Sequence, residues 1–139
     1  MSEKPYLLAV RAVIVDDEGQ CLLVRRSLHN RSFVGTWEWP GGKAEVGEAV
    51  DEAVLREVRE ETGLEIALTG IAGVYRIEMP KQFLAVLCME AHVVEGTLTL
   101  SEEHDDSAWA PLSDLSKWEL TAGLREFAEE YAKRWSESR

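Results

Sequence analysis

The stretch from Gly42 to Leu64, GKAEVGEAVDEAVLREVREETGL, constrains this chain more than any other. It holds no proline, Gly47 stands where a helix N-cap would, Glu48 suits the positive end of a helix dipole, and Gly63 is the expected left-handed stop. The spacing predicts one helix over Glu48 to Thr62. It is entered from a tight Pro40-Gly41-Gly42 turn, whose backbone can be approached closely because glycine has no side chain.

Projected at about 100° per residue, Val50, Ala53, Val54 and Val58 form an apolar sector, with Asp51, Glu52, Leu55 and Arg59 mostly on the far side. Glu57 and Glu61 fall near the middle of the apolar sector and Glu60 at its edge, so these carboxylates face the body of the protein. A solvated acidic face is the ordinary reading of such a run, and the projection argues against it. Glu57 and Glu61 are also a like-charge i, i+4 pair, which costs a few tenths of a kcal/mol in water and more when desolvated. A bound cation removes the conflict. Clustered carboxylates, with a carbonyl from Gly41 or Gly42, are the oxygen donors that Mg²⁺ or Mn²⁺ prefers. No thiolate or imidazole stands near them in the sequence, which disfavours zinc. Mg²⁺ commonly shares its shell with substrate phosphates, which points to a phosphorylated substrate. Arg56 is spaced to pair with Glu60 one turn on.

Gly42, five residues, Glu48, seven residues, then Arg56-Glu57-Val58-x-Glu60-Glu61-x-Gly63-Leu64 resembles the Nudix box at every prescribed position. Such a match arises by chance on the order of once per billion starting points. The resemblance implies an α/β/α sandwich with a mixed β-sheet and a loop-helix-loop catalytic motif, as one domain over residues 1–139. It implies hydrolysis of a nucleoside diphosphate linked to another group, with Mg²⁺ or Mn²⁺ held by Glu57, Glu60, Glu61 and Glu103 and a Gly41 carbonyl. The implied catalytic set is Glu60, Glu61, Glu103 and Arg56, with Glu60 or Glu103 taking the proton and Arg56 and Glu48 shaping the box. A solvated loop is the alternative reading for Glu103, since Glu102, Asp105 and Asp106 crowd the same segment.

Arg25, Arg26, His29 and Arg31 concentrate positive charge ahead of the glycine turn, which suits a polyphosphate, with solubilising loop charge as the alternative. In MutT-like members an arginine pair ending the second strand lies beside the nucleotide, and Arg25-Arg26 matches it. Trp39, in Trp37-Glu38-Trp39-Pro40-Gly41-Gly42-Lys43, is a candidate to flank the base, against a core-packing tryptophan. Trp118 to Thr121 occupies the region that often lines the base pocket. The MutT pattern places an asparagine there to read an oxidised guanine, and this chain has none after Asn30. A MutT-type nucleoside triphosphate pyrophosphohydrolase is the leading expectation. An ADP-ribose, nucleotide-sugar or dinucleotide pyrophosphatase is the alternative, and a nucleotide-sensing Nudix-fold module, which usually loses box residues, is the non-enzymatic one.

Length and charge bound these readings. At 139 residues and 45% hydrophobic, the chain suffices for one domain with a real core. A net charge of −11 argues against nucleic acid polymers and anionic membranes as partners, leaving a small nucleotide handled by local basic groups. No long apolar span or basic leader stands at the start, so a cytoplasmic setting is expected, as monomer or homodimer. Cys21 and Cys88 lie in apolar runs and imply no disulfide.

Along the chain, Tyr6 to Val15 and Cys21 to Arg25 are expected to form a hairpin around Asp16 to Gln20, with Ser32 to Trp39 extended. Glu65 to Arg76, Phe83 to Val94 and Thr97 to Leu100 are expected strands, and Ser101 to Ser107 an acidic loop. Leu124, Phe127, Ala128, Tyr131, Ala132 and Trp135 mark a terminal amphipathic helix.

Overall fold

Strand β1 (Tyr6–Ile14) organises the fold because both of its faces are covered. Side chains alternate across a strand, so Val10, Ala12 and Ile14 join one apolar cluster while Ala9 and Val13 join another. The structure, a computed structural model, describes residues 3–121 and 123–138. β1 pairs in parallel with β6 (Phe83–Glu95) and antiparallel with β4 (Gly41–Lys43), and β6 pairs antiparallel with β5 (Glu65–Glu78). This mixed sheet has the order β4-β1-β6-β5, and a second, antiparallel sheet has the order β3-β2-β7. Its strands are β2 (Gln20–Arg26), β3 (Trp37–Glu38) and β7 (His104–Pro111).

Helix α1 (Val50–Thr62) packs Ala53, Val54 and Val58 against Val10, Ile14 and Leu22. Each valine so buried contributes about 1.5–3 kcal/mol. Helix α2 (Leu124–Glu137) covers the opposite cluster with Leu124, Ala128 and Tyr131, and Phe127, Ala132 and Trp135 lie at its margin, the stripe read from the sequence. The result is an α/β/α arrangement. Cys21 and Cys88 are free and buried. Among the described residues no helix is long and apolar enough to cross a membrane.

Five expectations need correction. The turn after β1 is not a hairpin within one sheet. Asp16 Oδ1 accepts from the amides of Glu18 and Gln20 at 2.9 Å each, and a lone Val15–Cys21 bridge joins the two runs. Beyond it β2 leaves to pair with β3 and β7, so the turn is a corner between sheets. Ser32 to Trp39 is largely bends and turns, and only Trp37–Glu38 is strand.

α1 begins at Val50 rather than Glu48, because Gly47 is left-handed (φ 83°) and the Glu48 amide closes a turn on the Glu45 carbonyl. Its end is as read, with Gly63 at φ 72° donating to the Arg59 carbonyl. Thr97 to Leu100 is not a strand, because its Thr99 amide is drawn onto the end of the helix. Thr99 donates to the Thr62 carbonyl at 2.8 Å and Ser101 to the Glu61 carbonyl at 3.1 Å, satisfying orphan acceptors of the last helical turn. This wrapping carries the chain across the end of α1, and β7 starts at His104, inside the expected loop.

Candidate active site

The site forms where the last turns of α1 meet the glycine turn that starts β4. Glu61 is 2% exposed, and its Oε1 accepts the Gly41 amide at 3.1 Å. Its other oxygen has no hydrogen-bond partner among the described residues. Glu57 is partly buried and lies against Gly42, where a β-carbon would come within 2.6 Å of Glu57 Oε2. Glu60 is more exposed, at the rim. Burial pushes the Glu61 carboxyl well above the ordinary carboxylate range, opposed by Arg11 and the Gly41 amide and reinforced by Glu57 and Glu103. Burial likewise raises Glu57.

Arg56 ties the motif together. Its guanidinium donates to both oxygens of Glu48 at 2.7 and 3.0 Å, to Glu57 at 3.2 Å and to Glu60 at 3.1 Å. The hydrogen bonds from Arg56, first of all, hold the Glu48 carboxyl down at about 2. A planar fork matched to several carboxylates fixes their orientation better than an ammonium would. The Arg56–Glu60 pair is the one the spacing anticipated.

Behind the carboxylates lies a charged centre that the sequence reading passed over. Glu38, at the end of β3, is 2% exposed and meets four partners among the described residues. Arg11 Nη1 lies 3.4 Å from its Oε2, Arg26 Nη1 donates at 3.2 Å, His104 Nε2 lies at 3.0 Å, and the Thr121 hydroxyl donates to Oε1 at 3.2 Å. Burial alone would raise the Glu38 carboxyl, but Arg11, then His104 and Arg26, overcome it and bring it down to about 2. A β-bulge between Arg25 and Arg26 sets Arg26 opposite His104 across β2 and β7, which turns both side chains toward Glu38. No local pattern announces this: Arg11 sits mid-strand, and Glu38 lies between two tryptophans.

A cleft of about 300 Å³ opens over this centre, with Arg11, Arg26 and Glu38 as its polar floor. Phe33, Ile77, Met79 and Leu84 supply apolar walls, and Asn30, Lys43 and Thr121 reach it as well. An acidic bowl of about 330 Å³, lined by Glu57, Glu60, Glu61 and Glu103, shares Glu103 with the cleft. Glu57, Glu61 and Glu103 therefore present oxygens to one space. The unpartnered Glu61 oxygen, the raised carboxyls and the close fit of Glu57 on Gly42 all suit a divalent cation.

The structure separates the other expected residues. Of the arginine pair, Arg26 enters the cleft, while Arg25 points outward to pair with Asp105 at 2.7 Å and to lie over the Trp37 ring. His29 reaches the acidic bowl, 3.8 Å from Glu102, and Arg31 is exposed. Trp39 does not flank the cleft. It is fully buried, its Nε1–H donates to Cys21 Sγ, and its ring packs edge-on against Phe127 and Tyr131 of α2. Trp118 packs edge-on against Trp37, and Thr121 is the residue of that segment that lines the cleft. Gly41 contacts the cluster through its amide. The absence of imidazole is also corrected, since His104 Nδ1 lies 3.9 Å from Glu61 Oε1.

A family model for the NUDIX domain matches residues 5–131. The chain belongs to the Nudix family. It is similar to the nucleoside triphosphatase NudI of Klebsiella pneumoniae (strain 342), 31% identical over 123 residues that cover 81% of this chain and 87% of that protein. It is also similar to an ADP-ribose pyrophosphatase of Methanocaldococcus jannaschii, 32% identical over 106 residues, 75% of this chain and 62% of the other. The crystal structure of a MutT protein from Methanosarcina mazei Go1 superposes with a TM-score of 0.87 at 34% identity, covering 96% of this chain and 98% of that one. This Nudix protein is thus a MutT-like hydrolase, a pyrophosphohydrolase of substrates linked through a nucleoside diphosphate, and the Nudix chemistry generally uses a divalent metal.

Proposed function

We propose that this Nudix hydrolase converts a nucleoside triphosphate to the monophosphate and pyrophosphate, with Mg²⁺ or Mn²⁺ held by Glu57, Glu61 and Glu103. The observation that carries this reading is the shared wall: Glu103 borders both the acidic bowl and a cleft of about 300 Å³. A volume at the lower end of ligand pockets suits one nucleoside better than two. The apolar walls suit a base, and Arg26 and Lys43 supply the charge for phosphates in a chain of net charge −11. The resemblance to an ADP-ribose pyrophosphatase supports the second reading, cleavage of a nucleotide sugar at the same anhydride.

In the first reading a water oxygen bonds to the α- or β-phosphorus, the bond from that phosphorus to the oxygen bridging the two breaks so that monophosphate and pyrophosphate separate, and the water's proton passes to a rim carboxylate. Glu57, Glu61 and Glu103 would hold the divalent ion, which would supply charge neutralisation for the phosphate oxygens and a lowered pKa for the attacking water. Arg56 holds Glu57 and Glu60 in place, and Arg26 orients the substrate. Glu60, at the rim and outside this ligand set, takes the proton, and Glu60→Gln should lose turnover while retaining metal affinity.

A panel of normal and oxidised deoxynucleoside triphosphates, CTP, ADP-ribose, NADH and dinucleoside polyphosphates, with products identified by mass, tests the proposal. Monophosphate and pyrophosphate from a triphosphate are expected, whereas turnover of ADP-ribose alone would transfer the assignment to the second reading. A thermal shift with some nucleotide but no product from any would leave a sensor.

Gly42→Ala probes the metal assignment from the side. The nearest atoms its new methyl meets belong to the far end of Glu57, whereas at Gly41 it would meet the Val10 carbonyl oxygen at 2.0 Å. Gly42→Ala should therefore keep its fold and bind Mg²⁺ about tenfold more weakly by calorimetry. Unchanged affinity would count against Glu57 as a ligand.

A further inference from the structure

The proposed reaction leaves one buried histidine unused. His104 opens β7 with its side chain 2% exposed, and its Nε2 lies 3.0 Å from Glu38 Oε2. Two arginines also converge on that carboxylate, which accepts, so Nε2 carries the proton in this contact. In the neutral ring Nδ1 then presents a lone pair. Nδ1 has no hydrogen-bond partner among the described residues and lies 3.9 Å from Glu61 Oε1, on a carboxylate whose Oε2 is also unpartnered.

Two acceptors cannot face each other across a buried gap without cost. A proton, a bridging water or a metal ion relieves the conflict, and of these the ion also accounts for the carboxylates gathered beside it. The ligand atoms of Glu61, Glu103 and His104 lie within 4.8 Å of one another, a span that one ion with bonds of about 2.1 Å bridges with small side-chain movement. A histidine that ligates through one nitrogen while the other donates to a carboxylate is the usual way a ring is held at a metal.

We infer that His104 ligates the divalent ion through Nδ1 beside Glu61 and Glu103, with Glu38 orienting the ring, so that the site is a mixed nitrogen and oxygen site favouring Mn²⁺ over Mg²⁺. This rests on the proposed metal site at Glu61 and extends it. Imidazole binds first-row transition ions well, whereas Mg²⁺ takes oxygen, so the nitrogen donor sets the metal preference.

Pulsed electron paramagnetic resonance on protein loaded with one equivalent of Mn²⁺ tests this directly. Modulation from a coordinated nitrogen is expected, and it should move to nitrogen-15 frequencies when only histidine carries that isotope. His104→Gln should abolish the histidine modulation and weaken Mn²⁺ binding about tenfold or more, with Mg²⁺ affinity little changed. His29→Gln, which alters the histidine that lines the acidic bowl, should preserve the signal. Mn²⁺ bound without histidine coupling would overturn the inference and leave a proton or a water between His104 and Glu61. A signal lost in His29→Gln and kept in His104→Gln would overturn it in favour of His29. Mn²⁺ binding that is absent, or indifferent to Glu61→Gln, would sink the underlying metal site as well. Should His104→Gln fail to fold, the isotope shift in the unaltered chain decides alone.

Discussion

In chelator at neutral pH, Glu61→Gln should melt at least about 3 °C higher than the unaltered protein, while in saturating Mg²⁺ it should turn over two to three orders of magnitude more slowly. The first effect follows from burial. Glu61 is 2% exposed and its carboxyl is raised well above the ordinary range, so without a cation its negative charge opposes folding. The amide keeps the volume, removes the charge and brings an N–H that can donate to the lone pair of His104 Nδ1.

The sign with pH follows from linkage. A carboxyl raised in the folded state binds its proton more readily there than in the unfolded chain. The metal-free protein therefore gains stability as pH falls from the raised value toward 4.5, and Glu61→Gln should lose that gain. Added metal reverses the order of the melts, because binding to the native state stabilises only the protein that retains the ligand. Calorimetric melts across pH, with EDTA and with Mg²⁺, check every part. A variant that melts lower in EDTA, or turns over near the unaltered rate in Mg²⁺, would refute the assignment.

Glu38→Ala should be the most damaging substitution to the fold, costing about 3–5 kcal/mol, because it strips Arg11, Arg26 and His104 of a common partner inside the protein. Here the pH dependence runs the other way. Glu38 is held at about 2 against an ordinary 4.5, so its contribution is fully present above 4.5 and is lost as pH falls toward 2. Urea melts at pH 7 and pH 3 should show the unaltered chain losing stability and Glu38→Gln losing much less over the same interval. Parallel acid limbs for the two proteins would exclude Glu38 as the group responsible. In chelator the two carboxylates thus predict a stability that first rises and then falls on acidification.

The carboxylate pattern of α1 was legible because it is local. Val54 and Val58 face the core, and Glu57 and Glu61 share that face, since all four are set by helical pitch. Gly63 and the stripe of α2 were readable for the same reason. The β5 and β6 runs declared themselves by length and apolarity, and the structure extends each by one or two residues. Pairing partners were not legible. The Val15 to Cys21 turn looks like any hairpin turn, yet the strands it joins enter different sheets. Thr97 to Leu100 has strand composition, but an open carbonyl at the end of α1 claims its Thr99 amide. Trp39 carries the bulk and polarity of a ligand-stacking residue, and only the placement of Phe127 and Tyr131 makes it core.

By itself the sequence determined that a helix would carry Glu57 and Glu61 inward beside a glycine turn, and with that the hydrolytic family. Spacing along one helix is fixed by covalent geometry and hydrogen bonds four residues apart, so it survives in a string of letters. Only the tertiary structure decided that Arg11, Arg26, Glu38 and His104, from four different strands, meet behind Glu61. Their meeting depends on sheet order, on the register of β2 with β7 and on the bulge at Arg25 and Arg26. Those are long-range choices, settled by burying both faces of β1 at once, and no window of neighbouring residues contains them.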